Sequence, residues 1–406
     1  MNQIQRQIKI TYIFTHHIRW VPFELVAKYI DKSKFAIDYV ILNEGDPIIS
    51  FLNQLNIPCT VTSYGDYGNT PEVVKFLYEH LTRNKTDIVQ THWFAGSLAG
   101  MQAAYYAHVP VRIFHREHPS IKYYTRHAPS KHRLIWDCAT NVVAVTNKSK
   151  QGMMEDGIPE QKITVIPTPF DTNEFEHVDS SRIEKLRAKY LPHNHGPVIG
   201  VAARYVQWKG VEYAIEAHKK VLEVYPNAIL VLSGTHINRA ELEEKMRNAS
   251  KEDIVAPQYK DILSITEKLS QLPDNSYVEI AFEEDLFALF KLFDVFVHVP
   301  TDSIQETFGQ VYVDAMLSKV PSVITLAGSA LDHAVHKENA WIVDYKRSDQ
   351  IAQGILEILS DSVLREKLID NAFTCARRYD IKQHIQKLEE FYTSEFQKSI
   401  TQSNRQ

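Results

Sequence analysis

Short apolar runs bounded by helix-like stretches recur along most of this chain, and that alternation leaves few folds open. "IKITYIF" (8–14), "FAIDYVIL" (35–42), "IPCTVT" (57–62), "DIVQTH" (87–92), "VPVRIFH" (109–115), "NVVAVT" (141–146) and "ITVIP" (163–167) read as strands. Between them lie helical patterns such as "PEVVKFLYEHLTRN" and "GSLAGMQAAYYAH". Nearly continuous apolar strands alternating with helices imply an α/β fold whose parallel sheet is covered on both faces. The polar stretch 171–196, ending in a Pro/His/Asn/Gly cluster, reads as a linker. Alternation then restarts with "PVIGVAAR" (197–204), "NAILVLSG" (227–234), "SYVEIAF" (276–282), "DVFVHVP" (294–300), "VPSVIT" (320–325) and "AWIVDY" (340–345), and everything after 346 is helical.

A chain of 406 residues suits about two domains of roughly 200 residues each. The expected division is 1–190 and 191–379, two βαβ arrays with a cleft between them, and a last helix at about 380–406 packing back on the first. A net charge of −5 gives no basic field, so no nucleic-acid partner is expected. Three distant cysteines argue against a disulfide framework or zinc cluster and fit a reducing compartment. The first residues lack the apolar stretch of a signal peptide and no long apolar run occurs, so the expectation is a cytoplasmic, non-spanning protein.

Ligands of such sheets bind at the carboxyl ends of strands, which directs attention to the residues just after each run. After "DVFVHVP" comes "ETFGQVYVDAM" (306–316), read as a helix starting near Glu306 or Thr307, with Gly309 letting an anion approach its backbone. Asp314 then lies about 12 Å along the same helix face, too far to share a proton or a metal with Glu306. The two could accept hydrogen bonds from opposite ends of an elongated ligand; alternatively Glu306 only favours a helix start and Asp314 is solvated. In "ARYVQWKG" (203–210), Arg204 and Lys209 follow the first strand of the second array. Two cations there suit a diphosphate, or they are simply surface charges.

Together these pieces resemble the GT-B glycosyltransferases of family GT4. The resemblance rests on R-x4-K-G followed about 100 residues later by Glu306 and Asp314 around a Phe-Gly pair, on "TNKSKQGMMEDGIPEQKITVIPTPFDTNEF" and on "LAGSALDHAVHKENAWIV". It covers roughly 140–380 and is weaker in the N-terminal third. It implies two Rossmann-like domains facing each other across a cleft. It also implies a retaining, hexosyltransferase-like enzyme moving a sugar from a UDP-, GDP- or ADP-sugar to a hydroxyl of a glycan or lipid-linked glycan of the cell envelope or capsule. The resemblance gives Arg204 and Lys209 to the donor diphosphate, Glu306 and His118 to the transferring sugar, and Asp314 to the ribose. Phe308, Gly309 and Gln310, with Gly328, Ser329 and Ala330, would approach the nucleotide-sugar. An epimerase of the same fold, or a silent sugar-nucleotide-binding protein, are the other readings.

Departures from the family pattern are Asp314 for Glu, Thr168 and Pro169 for Asn-Gly, Asp332 for Glu, Ala340 for Gly, and no Gly-Gly turn after the first strand. His16, His17 and His92 follow strands and are weaker candidates for the acceptor side. "HREH" on extended chain would put His115 and His118 on opposite faces. With no Asp-x-Asp, H-E-x-x-H or C-x-x-C pattern, no metal and no other cofactor is expected. The segment 118–136, with Lys122, Arg126, Lys131 and Arg133 among Tyr123, Tyr124 and Trp136, could touch an anionic membrane surface or a lipid diphosphate, or be an ordinary solvated loop and helix.

Overall fold

The structure is a computed structural model that describes residues 6–15, 20–42, 44, 47–62, 71–118, 129–193, 195–234 and 257–403. The chain forms two compact units, Met1–Asp171 with Tyr379–Gln406, and Thr172–Arg378.

The first unit holds a seven-stranded sheet: β1 (Ile8–Phe14), β2 (Phe35–Ile41), β3 (Cys59–Val61), β4 (Ile88–His92), β5 (Val111–Arg116), β6 (Asn141–Ala144) and β7 (Ile163–Val165). Every pairing is parallel and the order is β3-β2-β1-β4-β5-β6-β7, so the winding reverses between β1 and β4. Because successive side chains point to opposite faces, β1 feeds two cores. Ile10, Tyr12 and Phe14 pack with Phe23 and Val26 of helix Val21–Tyr29 and with Leu388 and Tyr392 of helix Ile381–Ser403. Ile13 packs on the other side with Leu77, Leu98 and Met101. The chain re-enters this unit through a backbone pair, Phe170 N–H to Tyr379 C=O (2.9 Å) and Ile381 N–H to Phe170 C=O (2.8 Å).

The second unit repeats the plan with six parallel strands: β8 (Val198–Ala202), β9 (Ile229–Ser233), β10 (Tyr277–Ile280), β11 (Val295–His298), β12 (Ser322–Ile324) and β13 (Trp341–Ile342). Their order, β10-β9-β8-β11-β12-β13, reverses between β8 and β11. Ile199, Val201, Val295 and Val297 face one core, and Val198, Ala202 and Phe296 the other.

The stretch read as a linker is instead two helices, Thr172–Glu176 and Ser180–Tyr190, the second capped by Asp179, whose side chain accepts from Ser181 N–H. Leu186 and Leu191 are buried beside Phe290 and Phe293, so these residues belong to the second core and the units divide at 171/172 where the sequence reading set 190/191. A polar composition hid one narrow apolar stripe. Among the described residues no helix is long and apolar enough to cross a membrane.

Candidate active site

In an open, doubly wound sheet the crevice forms where the strand order reverses, at the strands' carboxyl ends. In the second unit that point lies between β8 and β11, and the loops leaving these two strands carry Arg204, Lys209 and Glu306. The loop after β8 closes as a short 3-10 turn, Gln207–Lys209, ending at Gly210 with φ +69°. A Cβ on Gly210 would sit 2.0 Å from the Val299 carbonyl oxygen, so only glycine lets this turn lie on the chain leaving β11. Thr301 N–H donates to the Trp208 carbonyl (2.9 Å) across the same seam. This close approach brings Lys209 Nζ onto Glu306 Oε2, with Glu306 also 3.4 Å from His298 Nε2 at the end of β11.

The three side chains are largely buried. Burial pulls the Glu306 carboxyl upward, yet Lys209, with His298, holds it at about 2. Burial lowers the imidazole of His298. Glu306 is therefore anionic, and its charge is offset by Lys209. Arg204 is exposed and has no hydrogen-bonding or ionic partner among the described residues. The two cations thus differ, one engaged and one open.

Glu306 does not start the helix. Helix Gln310–Leu317 begins after Gly309, whose φ of +80° turns the chain, so Glu306 and Asp314 do not share one helix face and the 12 Å spacing does not apply. Phe308 is buried and its carbonyl accepts from Ser329 N–H at 2.7 Å. A Cβ on Gly328 (φ +56°) would lie 2.5 Å from that carbonyl oxygen and 3.0 Å from Glu306 Cγ. The loop around Gly328 and Ser329 is therefore stacked directly on the Glu306–Gly309 turn. Half-buried Asp314 lies within the helix with no charged partner among the described residues, and burial pushes its carboxyl up to about 8. Burial thus favours its protonated form at neutral pH.

The corresponding reversal in the first unit lies between β1 and β4. His16 and His17, which follow β1, lie outside the described residues. His92 ends β4, opposite His115 of β5 in the register, and their rings stack at 4.5 Å. Both donate through Nδ1 to one oxygen of Glu117, Oε1, at 2.5 and 3.0 Å. Trp93, held at φ +54°, aims its N–H at the other oxygen (3.4 Å). Behind His92 runs a buried chain: Gln90 Nε2 to His92 Nε2 (2.9 Å), Tyr392 hydroxyl to Gln90 Oε1 (2.6 Å), and Tyr12 to Tyr392 (2.8 Å). Burial lowers His92 to about 4, while burial raises Glu117 but the two histidines outweigh it and hold the carboxyl well below its usual range. A cavity of about 40 Å³ adjoins this group, with Trp20, Thr168, Pro169 and His384 among its lining.

β5 ends at Arg116, so His118 lies beyond the strand and the alternating-face argument does not reach it. Its ring lies 5.4 Å from that of His132 and its carbonyl accepts from Arg116 Nε (3.2 Å). Of the basic, aromatic segment, 119–128 lies outside the described residues. Sequence reasoning thus brought Lys209 and Glu306 forward but passed over His298, His115 and Glu117. The available signal was position, since His298 and His92 each end a strand at a reversal and His115 pairs with His92.

Two family models match the chain, Glycosyltransferase Family 4 over 24–174 and Glycosyl transferases group 1 over 182–374. The capsular polysaccharide biosynthesis glycosyltransferase CapM of Staphylococcus aureus is 25% identical over 299 residues, 71% of either chain. An Escherichia coli UDP-Gal:α-D-GlcNAc-diphosphoundecaprenol α-1,3-galactosyltransferase is 22% identical over 320 residues, 75% of this chain and 76% of its own. Among solved structures, Anabaena HepE in complex with UDP-glucose superposes with a TM-score of 0.75 at 21% identity, covering 96% of this chain and all of its own. The fold is GT-B, two Rossmann-like sheets in series. With both family models matched in order along the sequence, the chain belongs to the GT4-type glycosyltransferases.

Proposed function

We propose that this protein is a retaining glycosyltransferase that moves a sugar from a nucleoside diphosphate donor, a UDP-sugar first among them, to a hydroxyl of a glycan or lipid-linked glycan. The observation that carries this reading is the buried Lys209–Glu306–His298 group at the β8/β11 reversal, with the open cation Arg204 leaving the same strand end. A diphosphate takes the charge of Arg204 and competes with Glu306 for Lys209, so its arrival frees the Glu306 carboxylate to accept hydrogen bonds from sugar hydroxyls. The bond from the anomeric carbon to the phosphate oxygen then breaks, and the electron pair leaves on the diphosphate, whose growing charge the two cations stabilise. The acceptor oxygen bonds to the anomeric carbon on the face just vacated and passes its proton to the departing phosphate.

Asp314 serves the ribose hydroxyls, Phe308, Gly309 and Gln310 with Gly328 and Ser329 line the nucleotide-sugar, and His118 takes the transferring sugar. The diphosphate is held by side chains and not by a metal, so a chelator should leave nucleotide binding unchanged. CapM and the E. coli galactosyltransferase support an envelope or capsule glycan as acceptor, and HepE's complex supports UDP. With a lipid-linked acceptor the enzyme would work at the cytoplasmic face of a membrane.

The test is incubation with UDP-, GDP- and ADP-sugars, with and without lipid-diphosphate glycan acceptors, following nucleotide release and product linkage. Acceptor-dependent release and an α-linked product from an α-linked donor are expected. A new sugar nucleotide from donor alone would mark an epimerase, and no turnover or binding would contradict the reading.

A further inference from the structure

We propose that His92, His115 and Glu117 form a three-ligand site for a divalent cation of the zinc type in the first unit, an inference that does not rest on the donor reading. Parallel pairing sets His92 directly opposite His115, and both rings turn the same nitrogen, Nδ1, toward one carboxylate oxygen. The ligand atoms of the three residues lie within 4.8 Å of one another. Three donors at zinc distances are roughly 3.3 Å apart in a tetrahedron, so a cation fits where the two N–H protons now sit after small movements of the three side chains. Two imidazole nitrogens and one carboxylate oxygen suit zinc and its neighbours, and suit magnesium or calcium poorly.

The surroundings complete the set. Glu117 Oε2 faces the Trp93 N–H, which leaves Oε1 for the shared position. On binding, each imidazole keeps one proton, moved from Nδ1 to Nε2. For His92 that proton meets Gln90, whose amide can reverse so that its carbonyl accepts from His92 and its NH₂ donates to the Tyr392 oxygen, with Tyr392 then donating to Tyr12. A buried partner of this kind orients a ligating histidine. The adjoining cavity, about 40 Å³, has room for a water or a small oxygen ligand as the fourth donor. Motif searching misses the site because its ligands come from paired strands and the loop after them.

The test uses the full chain, stripped by chelator and desalted, titrated with Co²⁺ for its ligand-field spectrum and with Zn²⁺ by calorimetry. One cation per chain is expected, with the intense absorption of a four- or five-coordinate site, unaltered by equal Mg²⁺. Glu117→Gln, which keeps a carbonyl acceptor for both imidazole N–H groups, and His115→Ala should each weaken binding about 100-fold in protein whose circular dichroism matches the wild type. Failure of the wild type to take up one equivalent, or affinity in both variants as high as the wild type's, overturns the proposal. UDP binding to the second unit should persist in every case, so its loss would bear on the donor reading alone.

Discussion

The two strand-order reversals share a plan and differ in chemistry. In the second unit the crevice holds a cation, a carboxylate and a histidine in a compact buried group with a second cation left open. In the first it holds two histidines on one carboxylate, backed by a neutral chain of amide and phenols. The second unit's group carries positive charge to offer an anion, and the first unit's group carries nitrogen and oxygen donors with no cation beside them among the described residues. The winding of the strands fixes where a ligand sits; the residues ending β4, β8 and β11 and in the loops after them fix what that ligand can be.

The largest effect should separate the two crevices outright. Lys209→Ala and Glu306→Ala should each lower transfer by about 10³-fold or more, on the order of 4 kcal/mol in the transition state, measured as kcat/KM. Either change also leaves a buried charge unpaired, which costs roughly 3–5 kcal/mol of stability. The double variant Lys209→Met/Glu306→Met should recover most of that stability in urea unfolding without recovering transfer. Recovery of both would show that the pair is only structural.

Next in size is the packing of the Gly328 loop on the Glu306–Gly309 turn. Gly328→Ala puts a methyl 2.5 Å from the Phe308 carbonyl oxygen at a positive φ, and should cost about 1–3 kcal/mol in urea unfolding.

The next effect depends on pH and is discounted by the half-exposure of Asp314, whose carboxyl burial raises from 3.8 to about 8. A raised acid destabilises the fold once the unfolded chain ionises, so its penalty is absent below about pH 4, grows with pH and levels off above about 8. Asp314→Asn should therefore raise Tm at pH 8 and leave it unchanged at pH 4. Glu306 has the opposite sign: its lowered carboxyl stabilises the fold above 4.5, and that contribution is lost as pH falls from 4.5 to about 2. The Glu306→Gln variant should show a shallower acid limb. The smallest change is in the first unit, where Tyr392→Phe removes one buried hydroxyl from the chain behind His92 and should cost about 1 kcal/mol, with UDP binding unchanged.

The strands were legible because a parallel sheet covered on both faces demands continuous apolar runs, as "IKITYIF" and "VIGVA" are. Lys209 and Glu306 were legible as positions after strands, joined by a family pattern. Their contact was not, because it depends on Gly210 lying on the Val299 carbonyl, a packing event with no periodicity. The state of Asp314 was hidden for the same reason: spacing places a residue along a helix but says nothing of how neighbouring elements strip it of water. The His92–His115 pairing needed the register of two strands separated by a whole helix.

The most direct measurement is calorimetric binding of UDP and of UDP-sugars to the wild type and to Arg204→Ala and Lys209→Ala, in chelator and at two salt concentrations. Metal-independent binding that weakens with salt and drops at least tenfold in each variant is expected. Tight binding that survives both substitutions would place the diphosphate elsewhere and contradict the account.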